Sequence, residues 1–381
     1  MKEKIERIQN VLRSHEIDGW VVFCHHSYDI HLKYLLEKWF SSTTLVLITQ
    51  DGKPEVITSR MEAMMVNTDI YDIIEYKKGS ELQELLERQF KSIPKGSKIA
   101  LNFVEEDEVF KKMNYDILTS GSFNALTSLN KELEYISAKN LIFDIRAVKT
   151  QKEIENHQEA ARLAEELMED VVEPSIKPGM SEKEINALIE YECNKRGGVA
   201  FEAIVASGSN AAIPHHEAGE KKIEENNVLL IDYGVSYNLA NSDITHTYWI
   251  GKNPPEEILR VYEAVDKAKE AAFNIIKAGV LSSDVEDAVR DKFEEFGYDH
   301  EKFYIHSTGH SLGLETHDIG IGIAKATPDR PSKQLLENSV ITVEPGLYFP
   351  GEFGIRLEDD IVVRKDGITR LSFTPSEMKC L

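Results

Sequence analysis

What this sequence has little of narrows the reading first. It holds three cysteines, Cys24, Cys193 and Cys380, odd in number and far apart. That fits neither a disulfide framework nor a Cys-x-x-Cys metal or redox motif, and a reducing compartment, the cytoplasm, is the expectation. No apolar run approaches the roughly 20 residues that span a bilayer. The opening Met1-Lys2-Glu3-Lys4-Ile5-Glu6-Arg7 also lacks the apolar stretch of a signal peptide, so no membrane association is expected. Positive charge is scarce: 44 Lys and Arg stand against 66 Asp and Glu, a net charge of -22. Nucleic-acid binders concentrate Lys and Arg, so nucleic acid is not an expected partner.

What is present suffices for two cores. A chain of 381 residues with 41% hydrophobic content exceeds one ordinary domain. Residues 1 to about 140 alternate helical spacing (Ile5, Ile8, Leu12; about Leu32 to Leu36; Glu81 to Phe90; Glu105 to Met113) with strand-like runs. The strand-like runs are Gly19 to Phe23, Leu45 to Thr49, Glu55 to Thr58 and Lys98 to Phe103. That rhythm predicts an α/β domain over 1–145. It shows no catalytic constellation, since the adjacent His25 and His26 would point to opposite faces of a strand. A second domain, 146–381, opens at Thr150-Gln151-Lys152-Glu153, a capping box that starts a helix running to about Val172 and stopped by Pro174. Ser181 with Glu184 opens the next helix, ending at Gly197-Gly198. Ile176-Lys177-Pro178-Gly179 returns 100 residues later as Ile276-Lys277-Ala278-Gly279, with Ile185 and Ile189 echoed by Val285 and Val289. The echo predicts two related α-α-β halves around one sheet.

The stretch Val228 to Asp360 carries the chemistry. Asp232, Asp243, Glu344 and Glu358, with His310, sit in segments that otherwise read as β-strand. A buried, unpaired carboxylate costs several kcal/mol or is forced to protonate, so a positive charge should face these groups. Two divalent ions can neutralise four carboxylates by sharing some of them. The donor set, hard oxygens and one nitrogen, suits manganese, cobalt or iron and tolerates zinc.

At these residues the sequence resembles the pita-bread metallopeptidases: Xaa-Pro dipeptidase (prolidase), aminopeptidase P, creatinase and, more remotely, methionine aminopeptidase. The likeness spans essentially the whole chain. It rests on Ile204 to Gly208, Ile213-Pro214-His215-His216, Ile231 to Gly234, Ser242 to Thr245, His306 to His310 with His317-Asp318, Val343 to Gly346 and Arg356 to Asp359. It implies a creatinase-like α/β domain before an α+β pita-bread catalytic domain with an internal pseudo-twofold duplication. It further implies two divalent metal ions per subunit, manganese or cobalt first and zinc or iron as alternatives. Asp232 would chelate one ion, Asp243 and Glu358 would bridge both, and His310 with Glu344 would complete the second. His215, His306 and His317 correspond to catalytic histidines, His215 and His317 also contacting substrate; Glu344 would shuttle the proton and Arg356 would support a ligand or contact substrate.

The implied activity is hydrolysis of the bond before proline by a metal-activated hydroxide, in a cytoplasmic homodimer acting on a small peptide with proline in second position. Aminopeptidase P is the alternative; a creatinase-like enzyme, methionine aminopeptidase and an inactive peptide-binding homologue fit less well. His246 departs from the pattern, standing where the family's Ser-Asp-x-Thr-Arg-Thr has arginine and, on this reading, removing a charge beside a bridging ligand. His216 reads as structural. Glu315 and Asp318 read equally as partners of the site or as exposed charges. The connection Ile319 to Leu336 is expected to line or cover the cleft.

Overall fold

The computed structural model describes residues 1–25, 29–105, 115–328 and 330–381. His26 and most of the helix expected over Glu105 to Met113 lie outside the described residues. The chain divides into two compact units, Met1–Ile145 and Arg146–Leu381.

The first unit is a six-stranded mixed sheet with helices around it. Its strands are β1 (Gly19–Cys24), β2 (Thr44–Thr49), β3 (Glu55–Ser59), β4 (Asp72–Tyr76), β5 (Lys98–Leu101) and β6 (Glu134–Ser137), in the order β4-β3-β2-β1-β5-β6. Val21, Leu45, Leu47, Ile57, Ile99 and Leu101 on its strands bury against Leu86 and Phe90 of helix Gly79–Ser92 and Leu126 of helix Ser120–Leu129. Burying apolar side chains of this size contributes about 1.5–3 kcal/mol each relative to exposure. His25 makes no metal cluster among the described residues; its Nδ1 lies 2.6 Å from Thr43 Oγ1.

The second unit is built twice over. Helices Gln151–Leu167 and Glu182–Arg196 precede β7 (Ile204–Ser207), β8 (Asn227–Tyr233), the short pair β9 (Ser236–Tyr237) and β10 (Ala240–Asn241), and β11 (Ile244–Ile250). Helices Glu256–Ile275 and Ser282–Glu295 precede β12 (Val340–Val343), β13 (Gly346–Phe349), β14 (Phe353–Arg356), β15 (Asp359–Arg364) and β16 (Gly367–Arg370). Both capping boxes form. The echo in sequence is an echo in hydrogen bonds. Gly179 N–H donates to Ile223 O and Gly279 N–H to Leu335 O, at 2.8 and 2.9 Å, and the next turns repeat as Glu182 to Lys221 O and Ser282 to Lys333 O. Both glycines have φ near +90° (93° and 86°), which side-chain-bearing residues rarely adopt.

Two expectations are corrected. The halves do not share one continuous sheet: they form separate three-stranded sheets, β11-β8-β7 and β12-β15-β16. The seam is crossed by Glu358 N–H donating to Thr245 O (3.1 Å) and by the Thr247 hydroxyl bonding the Arg356 main chain. Nor does Pro174 stop the first helix at Val172. A π-turn over Met168–Val172 lets Glu173 N–H reach back to Met168 O, and Pro174, with no N–H to give, sits in the last turn, Glu173–Ser175.

Cys24 and Cys193 are buried and Cys380 is exposed. The segment around Cys380 pairs with the edge of β11 at Trp249, where Trp249 N–H donates to Lys379 O and Leu381 N–H to Trp249 O. Among the described residues no helix is long and apolar enough to cross a membrane.

Candidate active site

The residues singled out in the sequence line one cavity of about 520 Å³ in the second unit. Asp232, Asp243, His310, Glu344 and Glu358 are there, with His215, His306, His317 and Arg356. The strand expectation needs correction in detail. Only Asp232 lies within a strand, β8; Asp243 sits between β10 and β11, Glu344 directly follows β12, Glu358 lies between β14 and β15, and His310 is on a loop. Strand ends rather than strand interiors deliver the side chains, because the chain must leave the ladder to turn several carboxylates toward one point.

Close approach is required there. An added Cβ at Gly309 would stand 2.0 Å from Thr342 O, so only glycine lets the His310 loop run against β12. His310 Nδ1 is 3.2 Å from Ser311 O. A carbonyl only accepts, so Nδ1 carries the proton and Nε2 turns its lone pair toward Asp243 Oδ2 (3.4 Å) and Glu344 Oε1 (3.6 Å). Burial, then the neighbouring His317, lowers the His310 pKa to about 3, which keeps the ring neutral.

The carboxylates are crowded. Burial, then Glu358, raises the Asp243 pKa well above the usual range; burial, then Glu344 and Asp232, does the same to Glu358. Burial also lifts Glu344 to about 8, against the pull of Arg356. Asp232 accepts from Arg356 Nη2 at 2.6 Å. Its Oδ1 is buried without a hydrogen bond. Ligand atoms of Asp243, His310 and Glu358 lie within 4.8 Å of one another. An orphaned carboxylate oxygen, carboxylates pushed toward protonation and a neutral imidazole lone pair together form a donor set that divalent cations would satisfy.

Several neighbours escaped the sequence reading. Thr245 donates its hydroxyl to Glu358 Oε2 (2.6 Å) and accepts from Arg356 Nε (3.0 Å). His306 Nδ1 lies 2.8 Å from Ser307 O, so its Nε2 accepts from the Tyr348 hydroxyl at 2.7 Å, and Arg356 Nη1 donates to that hydroxyl at 3.0 Å. His317 stacks on His310 with ring centroids 4.0 Å apart. Arg330 also lines the cavity, exposed and without an ion pair among the described residues. A threonine, a tyrosine or an arginine in a polar loop carries no pattern of its own, so only the tertiary structure reveals these roles.

The ambiguous residues also find places. His216 Nε2 meets the buried Glu182 at 2.8 Å, and Glu182 also accepts from Ser207 N–H and Gly219 N–H, pinning the loop that carries His215. Asp318 pairs with the buried Arg146 and with Lys149 (3.2 Å), and Glu315 with Arg146 (3.0 Å). Gly322, Ala324 and Arg330 of the long connection line the cavity. His246, expected beside a ligand, does not line the cavity. Side chains alternate along β11, so Thr245 and Thr247 face the seam while His246 turns to the other face, stacked on Tyr248 with centroids 5.7 Å apart.

The model of metallopeptidase family M24 matches residues 155–365, and that of the creatinase/prolidase N-terminal domain matches residues 4–148. The chain belongs to metallopeptidase family M24. It is 29% identical to a Xaa-Pro dipeptidase of Pyrococcus furiosus, over 99% of this chain and 100% of that one. The solved X-Pro aminopeptidase of Thermotoga maritima superposes with a TM-score of 0.84 at 31% identity, over 98% of this chain and 100% of that one. A Xaa-Pro dipeptidase of Bacillus anthracis gives 0.83 at 30%, over 100% and 99%. These likenesses place the creatinase-like domain and the pita-bread fold on this chain. Family membership implies use of divalent metal, and the donor set described above fits it.

Proposed function

We propose that this chain is a Xaa-Pro dipeptidase, with Arg146–Leu381 as its catalytic domain and Met1–Ile145 in support. The observation that carries the reading is the convergence of five metal-type donors on one cavity, in a chain similar along nearly its whole length to proteins named Xaa-Pro dipeptidase. Asp232, Asp243, His310, Glu344 and Glu358 would hold two divalent cations, manganese or cobalt first. When bound, divalent cations would supply acidified water, its pKa lowered toward about 7, and a Lewis acid for the scissile carbonyl.

The protein's own groups do the rest. His317, whose pKa is lowered by burial and then by His215, is neutral and has an N–H to offer the carbonyl oxygen as charge develops there. One such donor is typically worth about 2.7–4 kcal/mol. Burial, then Arg356, lowers His306 to about 3; with both nitrogens engaged, it acts as a fixed neutral wall. Glu344, lifted by burial, takes a proton and returns it to the proline nitrogen, a poor leaving group unprotonated. His215 and Arg330 are left to meet the peptide, Arg330 offering a cation to a carboxylate at the cavity mouth. The three scattered cysteines suit a reducing cytoplasm, and a homodimer belongs to the same proposal.

The likeness to the Thermotoga maritima X-Pro aminopeptidase favours a second reading, action on longer peptides. Purified protein with manganese or cobalt, offered Ala-Pro and Ala-Pro-Ala, separates the two. The dipeptidase reading expects the dipeptide to be cleaved far faster, and comparable rates would overturn it.

A further inference from the structure

Glu358 is followed by two more buried carboxylates, Asp359 and Asp360, neither of which lines the cavity. Asp360 Oδ2 accepts the main-chain N–H of Asp243 at 2.9 Å, and Asp360 N–H donates to Ser372 Oγ at 2.8 Å. Asp243 lies in the gap between β10 and β11, where neither ladder engages its amide, and the backbone just before it is irregular, with Asn238 and Leu239 at positive φ. The bond from Asp360 therefore links the two carboxylates read above as shared ligands, 115 positions apart in sequence, through a side chain that touches neither the cavity nor a substrate. Asp359 is gripped separately. Lys269, itself 1% exposed, pairs with it at 2.7 Å, Arg370 at 2.8 Å, and Thr374 N–H donates to it at 2.6 Å. Two successive residues of β15 are thus fixed by partners on helix Glu256–Ile275, at the end of β16 and on the segment after it.

We propose that Asp360, braced by the Lys269–Asp359 pair, is a positioning residue for the metal centre: it holds Asp243 in register with Glu358 before any cation binds. The inference rests on the ligand set proposed above. A ligand loop that is ordered beforehand does not have to be ordered by the incoming cation, and partners that orient ligands typically set metal affinity within a factor of 10–100.

Cobalt(II) titration of chelator-stripped protein tests this, read by visible absorption and by bound-metal stoichiometry, with circular dichroism as the check on folding. Asp360→Ala removes the acceptor; Asp360→Asn keeps an oxygen that can accept the Asp243 N–H. The alanine variant is expected to bind cobalt tenfold or more weakly with an altered absorption band, and the asparagine variant to stay within about threefold of wild type. A role confined to stability would lower the melting temperature of Asp360→Ala yet leave affinity and band unchanged, and that result overturns the proposal. Should the alanine chain not fold, Ser372→Ala decides the matter, since it loosens Asp360 while keeping its carboxylate. A several-fold loss of cobalt affinity is then expected, and wild-type binding overturns the proposal. Wild-type protein that takes up no cobalt would instead sink the ligand set itself, and the positioning role with it.

Discussion

Asp243 and Glu358 lie almost wholly inside the protein, where burial, then Glu358 for Asp243 and Glu344 with Asp232 for Glu358, raises the cost of ionising them, and cations would relieve that cost. Asp243→Ala is expected to remove peptidase activity by more than about a hundredfold, beyond the range typical of outer partners, while the far-ultraviolet circular dichroism stays that of the folded chain. An active variant would mean that Asp243 is not a ligand. These acids were legible in the sequence because charge is conspicuous inside apolar runs. Asp360 was not, since it follows two other acids and nothing in a run of three says which one faces what. Acid sensitivity is expected from a residue outside the proposed ligand set. Burial, then Lys149, lowers His157 to about 4, and its Nδ1 meets Asn241 O at 2.7 Å. The folded state thus binds fewer protons than the unfolded one between about pH 4 and 6.5. The neutral ring's contribution is complete above pH 6.5 and fades as pH falls, by about 1.36 kcal/mol per unit. In His157→Gln, the loss of unfolding free energy between pH 7 and pH 5 should shrink by about 2 kcal/mol, that slope acting over the interval below pH 6.5, as measured by urea denaturation at both pH values.

At the scale of the element, β11 separates two functions by side-chain alternation. Thr245→Val removes the hydroxyl that joins Glu358 to Arg356 and should lower kcat/KM by about 10–100-fold. His246→Phe, one position on, keeps a ring against Tyr248 on the opposite face and should leave kcat/KM within about threefold; steady-state kinetics on Ala-Pro measures both. Equal losses would show that the two faces are not independent. Reading position 246 as lying beside one of the expected ligands failed because linear adjacency on a strand means opposite faces. Of the elements that the sequence reading passed over, β4 and β6 are the two edges of the six-stranded sheet. Edge strands are half-solvated and carry charge, here Asp72, Glu75 and Glu134, so their apolar signal is weak. The helices, by contrast, announced themselves through Thr150 and Ser181, because a capping box is local chemistry that needs no tertiary context.

For the whole molecule, the repeated halves were visible in one short motif and its 100-residue offset, since a turn that needs a positive φ retains its glycine in both copies. Their division into two sheets was not visible, because a seam is a property of pairing between distant segments. Those segments bring together more acids than can stay charged unaided, so cation and fold should be linked. Adding manganese or cobalt to chelator-stripped protein is expected to raise its unfolding free energy by about 2.7 kcal/mol at a hundred times the Kd, seen as a rise in melting temperature by calorimetry. A melting temperature indifferent to the metal would contradict that linkage. The thiols offer a practical handle on such measurements. Burial pushes Cys193 up to about 12 and Cys24 is enclosed, so a maleimide dye should attach at Cys380 alone, with no engineered cysteine. It would then report from beside Trp249, on the edge of the strand that begins next to Asp243.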